Sequence, residues 1–225
     1  MMVFHIITIF PDIFDSYFNE SMIKRAQDRG AIEIRIHNLR KWTNDKHRSV
    51  DDKPYGGGAG MIMKIEPLLA ALDEIRIGIS GRQKTILFSA SGKLWTQNSA
   101  AKAVGLDHLI MICGRYEGVD GRIRHFINQE ISIGRYVLTG GEIPAMVVVD
   151  SIARLLPDVL GNPQSNKDES FSCPGFLEYP QFTRPEILKR EGKSYTVPST
   201  LLSGNHKEVE EWRKKNARGS RLKKR

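Results

Sequence analysis

Met111-Ile-Cys-Gly-Arg-Tyr-Glu-Gly-Val-Asp120 is the end of an apolar run that begins at His108 and stops where glycine takes over. Its length and its glycine boundary predict a strand over His108 to Cys113, with Gly114 at the carboxyl end. Outward from it, short apolar or β-branched segments recur at Val3 to Ile9, Ile32 to His37, Thr85 to Ser89 and Glu130 to Ile133. Helical patterns lie between them at Ile13 to Arg29, Glu66 to Ile77, Thr96 to Val104 and Ile143 to Leu156, the last with Pro144 near its start, where proline is tolerated. This alternation predicts an α/β fold on a mainly parallel sheet. Ligands gather at the carboxyl ends of such strands, so Gly114 is a candidate contact.

From Pro157 to about Pro174 the pattern dissolves into a stretch rich in Pro, Asn, Ser and charge, which predicts a linker or loop. We therefore expect an α/β domain over 1–160, a linker and active-site loop over 161–175, and a small, mainly helical domain over 176–225. Helices are expected there at Arg184 to Glu191 and Lys207 to Ala217, before a basic tail.

The 225 residues suffice for one sizeable core and an appendage. No uncharged apolar run approaches the roughly 20 residues of a membrane span. The opening MMVFHIITIFPDIF lacks the basic leader and cleavage site of a signal peptide and reads as a buried first strand. Two cysteines, Cys113 and Cys173, match no metal-ligand spacing, so we expect a cytoplasmic protein with neither a disulfide nor a metal cluster. The net charge of +8 favours a polyanionic partner, because Lys and Arg contacts to phosphates release counterions.

Two further segments carry glycine where chemistry would need it. In Asp45 to Gly60, four glycines in five positions (56–58 and 60) let the backbone approach a ligand closely, and Lys46, His47, Arg48 and Lys53 could hold phosphate. No Lys-Ser or Lys-Thr follows at P-loop spacing, and Met63 occupies the third glycine position of GxGxxG, which disfavours nucleotide hydrolysis. In Ile131 to Pro144, a strand end leads into a tight, mostly uncharged loop whose amides and carbonyls could read a purine. Taken singly, each segment reads equally well as a turn.

Together DDKPYGGGAGM (51–61), CGRYEGVD (113–120), SIGRYVLTGGE (132–142) and YPQFTRPE (179–186) resemble, in the same order, the bacterial tRNA (guanine-N1)-methyltransferases of the knotted SPOUT class. The resemblance runs from about Phe4 to about Trp212. It implies a deep trefoil knot holding a bent S-adenosylmethionine, a feature that local sequence rules would never suggest. The implied cofactor pocket comprises Phe88, Ser89 and Ala90, then Gly114, Tyr116 and Glu117, then Ser132, Ile133, Gly134, Arg135, Tyr136, Val137 and Leu138, with Gly140, Gly141 and Pro144. Two of these depart from the family pattern: Ala90 stands where Pro is usual and softens its loop, and Arg135 stands where Asp is usual and reverses a charge.

Methyl transfer needs in-line placement of the nucleophile, and guanine N1 must lose its proton to attack, which calls for a carboxylate base. The family's catalytic Asp falls at Glu169, with Asp168 beside it as the alternative. Arg154 matches the arginine that stabilises charge developing on guanine O6. The implied substrate is guanine 37 of the tRNA anticodon loop, turned out of its stack. Candidate tRNA contacts are Lys46, Arg48, Asp51, Gly57, Gly58 and Arg184, with the tail lysines. The resemblance further implies a homodimer with its active site at the subunit interface, the loop near Glu169 covering the partner's cofactor, and brings in magnesium as an assisting ion. Competing readings are an RNA-binding protein that kept the fold and lost the chemistry, and a phosphate-binding metabolic enzyme built on Gly56 to Gly60.

Overall fold

The computed structural model describes residues 1–157, 159, 169–173 and 175–219. The chain divides into two compact units, Met1–Gly161 and Asn162–Arg225.

The first unit holds a five-stranded sheet. β1 (Met2–Thr8) leads through a 3-10 turn (Pro11–Phe14) into α1 (Asp15–Phe18) and α2 (Ser21–Asp28), then β2 (Ile32–Asn38). Two-residue strands β3 (Asp51–Asp52) and β4 (Ile62–Met63) pair antiparallel and make the glycine segment a hairpin loop. There follow α3 (Ile65–Ile77), β5 (Gln83–Leu94), α4 (Gln97–Ala103), β6 (His108–Ile112), β7 (Gln129–Ser132) and α5 (Glu142–Ala153). The order across the sheet is β2-β1-β6-β5-β7, and every adjacent pair is parallel. This is the mainly parallel α/β architecture the alternation predicts.

Parallel strands are buried on both faces, and a separate core forms on each. On one face Phe4, Ile6, Leu109 and Met111 pack with Val148, Val149 and Ile152 of α5 and Ala100 of α4. On the other, Ile7, Ile110 and Ile112 pack with Leu68, Ala71 and Leu72 of α3. The second face also carries a row of three histidines on adjacent strands. His5 Nδ1 lies 3.1 Å from His37 Nε2, and His5 Nε2 lies 3.2 Å from His108 Nδ1.

Two local expectations are corrected. The helix expected from Ile13 to Arg29 is interrupted at Asn19-Glu20, and Ser21 takes a left-handed φ of 50°. The helix expected over Arg184 to Glu191 is instead a β-hairpin, β8 (Ile187–Arg190) with β9 (Lys193–Thr196). Glu191 and Gly192, both with positive φ, form its two-residue turn, the geometry that suits the twist of paired strands.

The second unit also holds α6 (Ser199–Leu202) and α7 (His206–Asn216), the latter started by Asn205, whose side chain accepts from Lys207 and Glu208 N–H. Trp212 packs edge-on against Tyr179 and Phe182. Among the described residues no helix is long and apolar enough to cross a membrane.

Candidate active site

Three chain segments leave the carboxyl ends of neighbouring strands and enclose a cavity of about 460 Å³. The first is a bulge inside β5. Phe88 pairs with Ile131, and so does Lys93, which leaves Ser89, Ala90, Ser91 and Gly92 looped out of the ladder. Gly92 is required by close approach, since a Cβ there would stand 2.5 Å from Ile131 N.

The second wall is the loop after β6. Gly114 sits where a Cβ would press Val119 at 3.1 Å, and Tyr116 holds a left-handed φ of 59°. The loop is anchored on the glycine hairpin through Glu117 N to Met61 O at 3.0 Å, Met63 N to Gly118 O at 2.9 Å and Asp120 N to Met63 O at 3.0 Å. Gly60 leaves room for the Glu117 side chain, which would lie 2.5 Å from a Cβ at that position.

The third wall is the connection from β7 to α5. Ser132 accepts from Gly134 N and donates to Gly134 O, turning the chain sharply after the strand. Val137 and Leu138 stay exposed along the cavity, and Gly141 N donates to Gly114 O at 3.0 Å. Gly141 touches the second wall so closely that a Cβ would lie 2.6 Å from Cys113 Cα.

Of the residues expected in a cofactor pocket, Phe88, Ser89 and Ala90, Gly114, Tyr116 and Glu117, and Ser132, Ile133 and Gly134 all line this cavity. So do Tyr136, Val137, Leu138, Gly140, Gly141 and Pro144. Arg135 is exposed and lies outside the lining. Arg154 caps the carboxyl end of α5, and the twelve helical residues between the caps put it about 20 Å along the axis from Gly141.

Lys46 and Arg48 are exposed in the loop before β3; Asp51 pairs opposite Met63, and Gly57 and Gly58 form the hairpin tip with positive φ. In the second unit Arg184 is exposed just before β8. There too Glu169 accepts from Ser172 N through its carbonyl, and Ser170 Oγ accepts from Glu178 N at 2.9 Å. Asp168 and the lysines of the tail fall outside the described residues.

The sequence reasoning did not single out Arg115, Arg124, Glu130 or Glu142. Arg124 and Glu130 form an ion pair at the cavity rim. Glu142 is a carboxylate buried to 1% exposure, and Arg115 Nε bonds it at 3.0 Å. The available signal was an acid opening the otherwise apolar helix EIPAMVVV. Burial and the nearby Glu142 charge push the Cys113 thiol well above its usual range, so it stays protonated. Among the described residues no three His, Cys, Asp or Glu side chains are grouped to hold a metal ion.

Comparison with known proteins finds the family model described as tRNA (Guanine-1)-methyltransferase TrmD matching residues 2–225. A curated tRNA (guanine-N(1)-)-methyltransferase of Dictyoglomus turgidum is 52% identical over 217 residues, covering 96% of this chain and 85% of that protein. Proteins of the same name from Moorella thermoacetica and Geotalea uraniireducens are 47% and 48% identical over 94% and 97% of this chain and 84% and 86% of their own lengths.

Proposed function

The chain belongs to the tRNA (guanine-1)-methyltransferase family, and from that premise we propose that it transfers a methyl group from S-adenosylmethionine to N1 of guanine 37 in tRNA, in the cytoplasm. The observation that carries this reading is the meeting of three strand-end loops around one cavity, in a chain whose family performs methyl transfer. The volume of about 460 Å³ falls within the 300–1,000 Å³ typical of small-ligand pockets. Its walls mix apolar residues with glycines, whose backbone a ligand can approach closely, a combination suited to an adenosine.

S-adenosylmethionine supplies a methyl group on a positively charged sulfur, ready for in-line attack. The chain's part is to place and activate the guanine. Glu169 takes the proton from N1, with Asp168 as the alternative base, and Arg154 stabilises the negative charge that moves onto O6. Lys46, Arg48, Asp51, Gly57, Gly58 and Arg184 are the proposed tRNA contacts. Magnesium, where it assists, would be held chiefly by substrate and water oxygens, since no cluster of protein donors is grouped for it among the described residues.

The site is completed in a homodimer. Arg154 closes the carboxyl end of α5 and is not among the residues lining the cavity, which supports a reading in which a second copy brings its own Arg154 to the reacting base. An apolar surface suits that assembly: Ile143 and Val147 of α5 are about half exposed, as are Phe10, Ile13 and Tyr17 on the neighbouring turn and α1. The implied knot is supported by the path of the chain. From β7 at the sheet edge it crosses the ends of β5 and β6, passes with Gly141 against Cys113, and packs α5 over β1.

Calorimetric titration with S-adenosylmethionine tests the reading. It predicts saturable binding that Gly141→Ala weakens. An absence of binding would leave the RNA-binding protein without chemistry as the better account.

A further inference from the structure

We propose that Glu142 is a positioning residue for base recognition: bridged to Thr8 and Arg115, its carboxylate fixes the peptide groups of the turn at Thr139 to Gly141 that line the cofactor cavity. The inference rests on the cavity being the adenosine site.

Glu142 does not itself line the cavity, yet it is buried and charged, and both its oxygens are occupied. Thr8 Oγ1 donates to Oε1 at 2.8 Å, and Arg115 Nε donates to Oε2 at 3.0 Å. Each partner is held in turn. Thr8 Oγ1 accepts from Phe10 N at 3.0 Å, and the Arg115 guanidinium lies 4.7 Å over the Phe10 ring. One carboxylate therefore joins the end of β1, the loop after β6 and the first residue of α5, where the helix amino terminus favours an anion.

The turn is pressed directly onto this bridge. A Cβ at Gly140 would lie 2.5 Å from Glu142 Oε2 and 2.6 Å from Arg115 Cδ, so the 140–141 peptide takes its position from the ion pair. Gly141 N is fixed from the other side by Gly114 O. A buried ion pair is a poor source of stability compared with packed apolar side chains, and what it supplies well is defined geometry. Here that geometry is delivered to the turn at Thr139 to Gly141, which lines the cavity; apart from the Gly141 amide, already bonded to Gly114 O, its peptide groups are of the kind able to tell the amino-bearing edge of adenine from the keto edge of hypoxanthine.

The test compares binding of S-adenosylhomocysteine and its inosine counterpart by calorimetry, in the wild-type chain and in Glu142→Gln, Arg115→Lys and Thr8→Val, with melting temperatures recorded alongside. The wild type is expected to prefer the adenine ligand. Glu142→Gln and Arg115→Lys are expected to erode that preference by about tenfold, the value of one well-made hydrogen bond, and Thr8→Val by less. The paired change Arg115→Met with Glu142→Leu is expected to recover melting temperature without recovering the preference. Should Glu142→Gln fail to fold, Thr8→Val and the paired change carry the test. Equal weakening of both ligands, with the preference intact, overturns the positioning role. A wild type that binds neither ligand overturns the adenosine site itself.

Discussion

At Gly141 the fold leaves no space for even a methyl group, because Cys113 Cα would lie 2.6 Å from it. Gly141→Ala must displace backbone on one of two cavity walls, and we expect cofactor affinity measured by calorimetry to fall by about tenfold or more. The proposed catalytic residues fail differently. Glu169→Ala should lower the rate of methyl transfer about a hundredfold or more while leaving cofactor affinity unchanged, as loss of a general base does. An inactive Asp168→Ala with an active Glu169→Ala would move the base to Asp168. His5 gives a prediction about stability. Burial, reinforced by His37, His108 and Arg35, pushes its pKa from 6.5 down to about 4. The folded state thus binds fewer protons than the unfolded state, and the stability present above pH 6.5 is lost progressively as pH falls from 6.5 to about 4. Urea unfolding across that range should show the loss, and His5→Leu should flatten it; an unchanged profile would contradict the assignment. The glycines around the cavity were legible as residue types. Glu142 was not, because its bond to Thr8 spans 134 positions of sequence.

At the scale of elements, the five sheet strands and the helices α3, α4 and α5 fall within a few residues of where periodicity puts them, the largest shift being the extension of β5. That extension is a tertiary effect. The chain loops out over Ser89 to Gly92 and rejoins β7 at the same partner residue, which propensity cannot foresee. The hairpin of β8 and β9 was misread as helix because Leu188, Lys189, Arg190 and Glu191 are all compatible with helix, while the Glu191-Gly192 turn signal is weak. For α5, half-exposed Ile143 and Val147 lie one turn apart on one face. Val147→Asp on that face should produce a monomer by sedimentation and abolish methyl transfer with the catalytic groups untouched. A monomeric variant with full activity would remove the need for the second copy.

At the scale of the molecule, a net charge of +8 and a cavity bounded by neutral and mixed-charge loops divide the work between a polyanion and a nucleoside cofactor. Rising salt should therefore weaken tRNA binding steeply and cofactor binding little. The parallel sheet was legible from alternation alone, whereas the implied knot rests on the family resemblance, because a knot concerns the path between elements and leaves no periodicity behind. The central claim is methyl transfer to one guanine. It is tested most directly by incorporation of labelled methyl from S-adenosylmethionine into two tRNA transcripts that differ only in carrying G or A at position 37. The account predicts label at N1 of guanine in the first transcript and none in the second; equal label in both, or none in either, would contradict it.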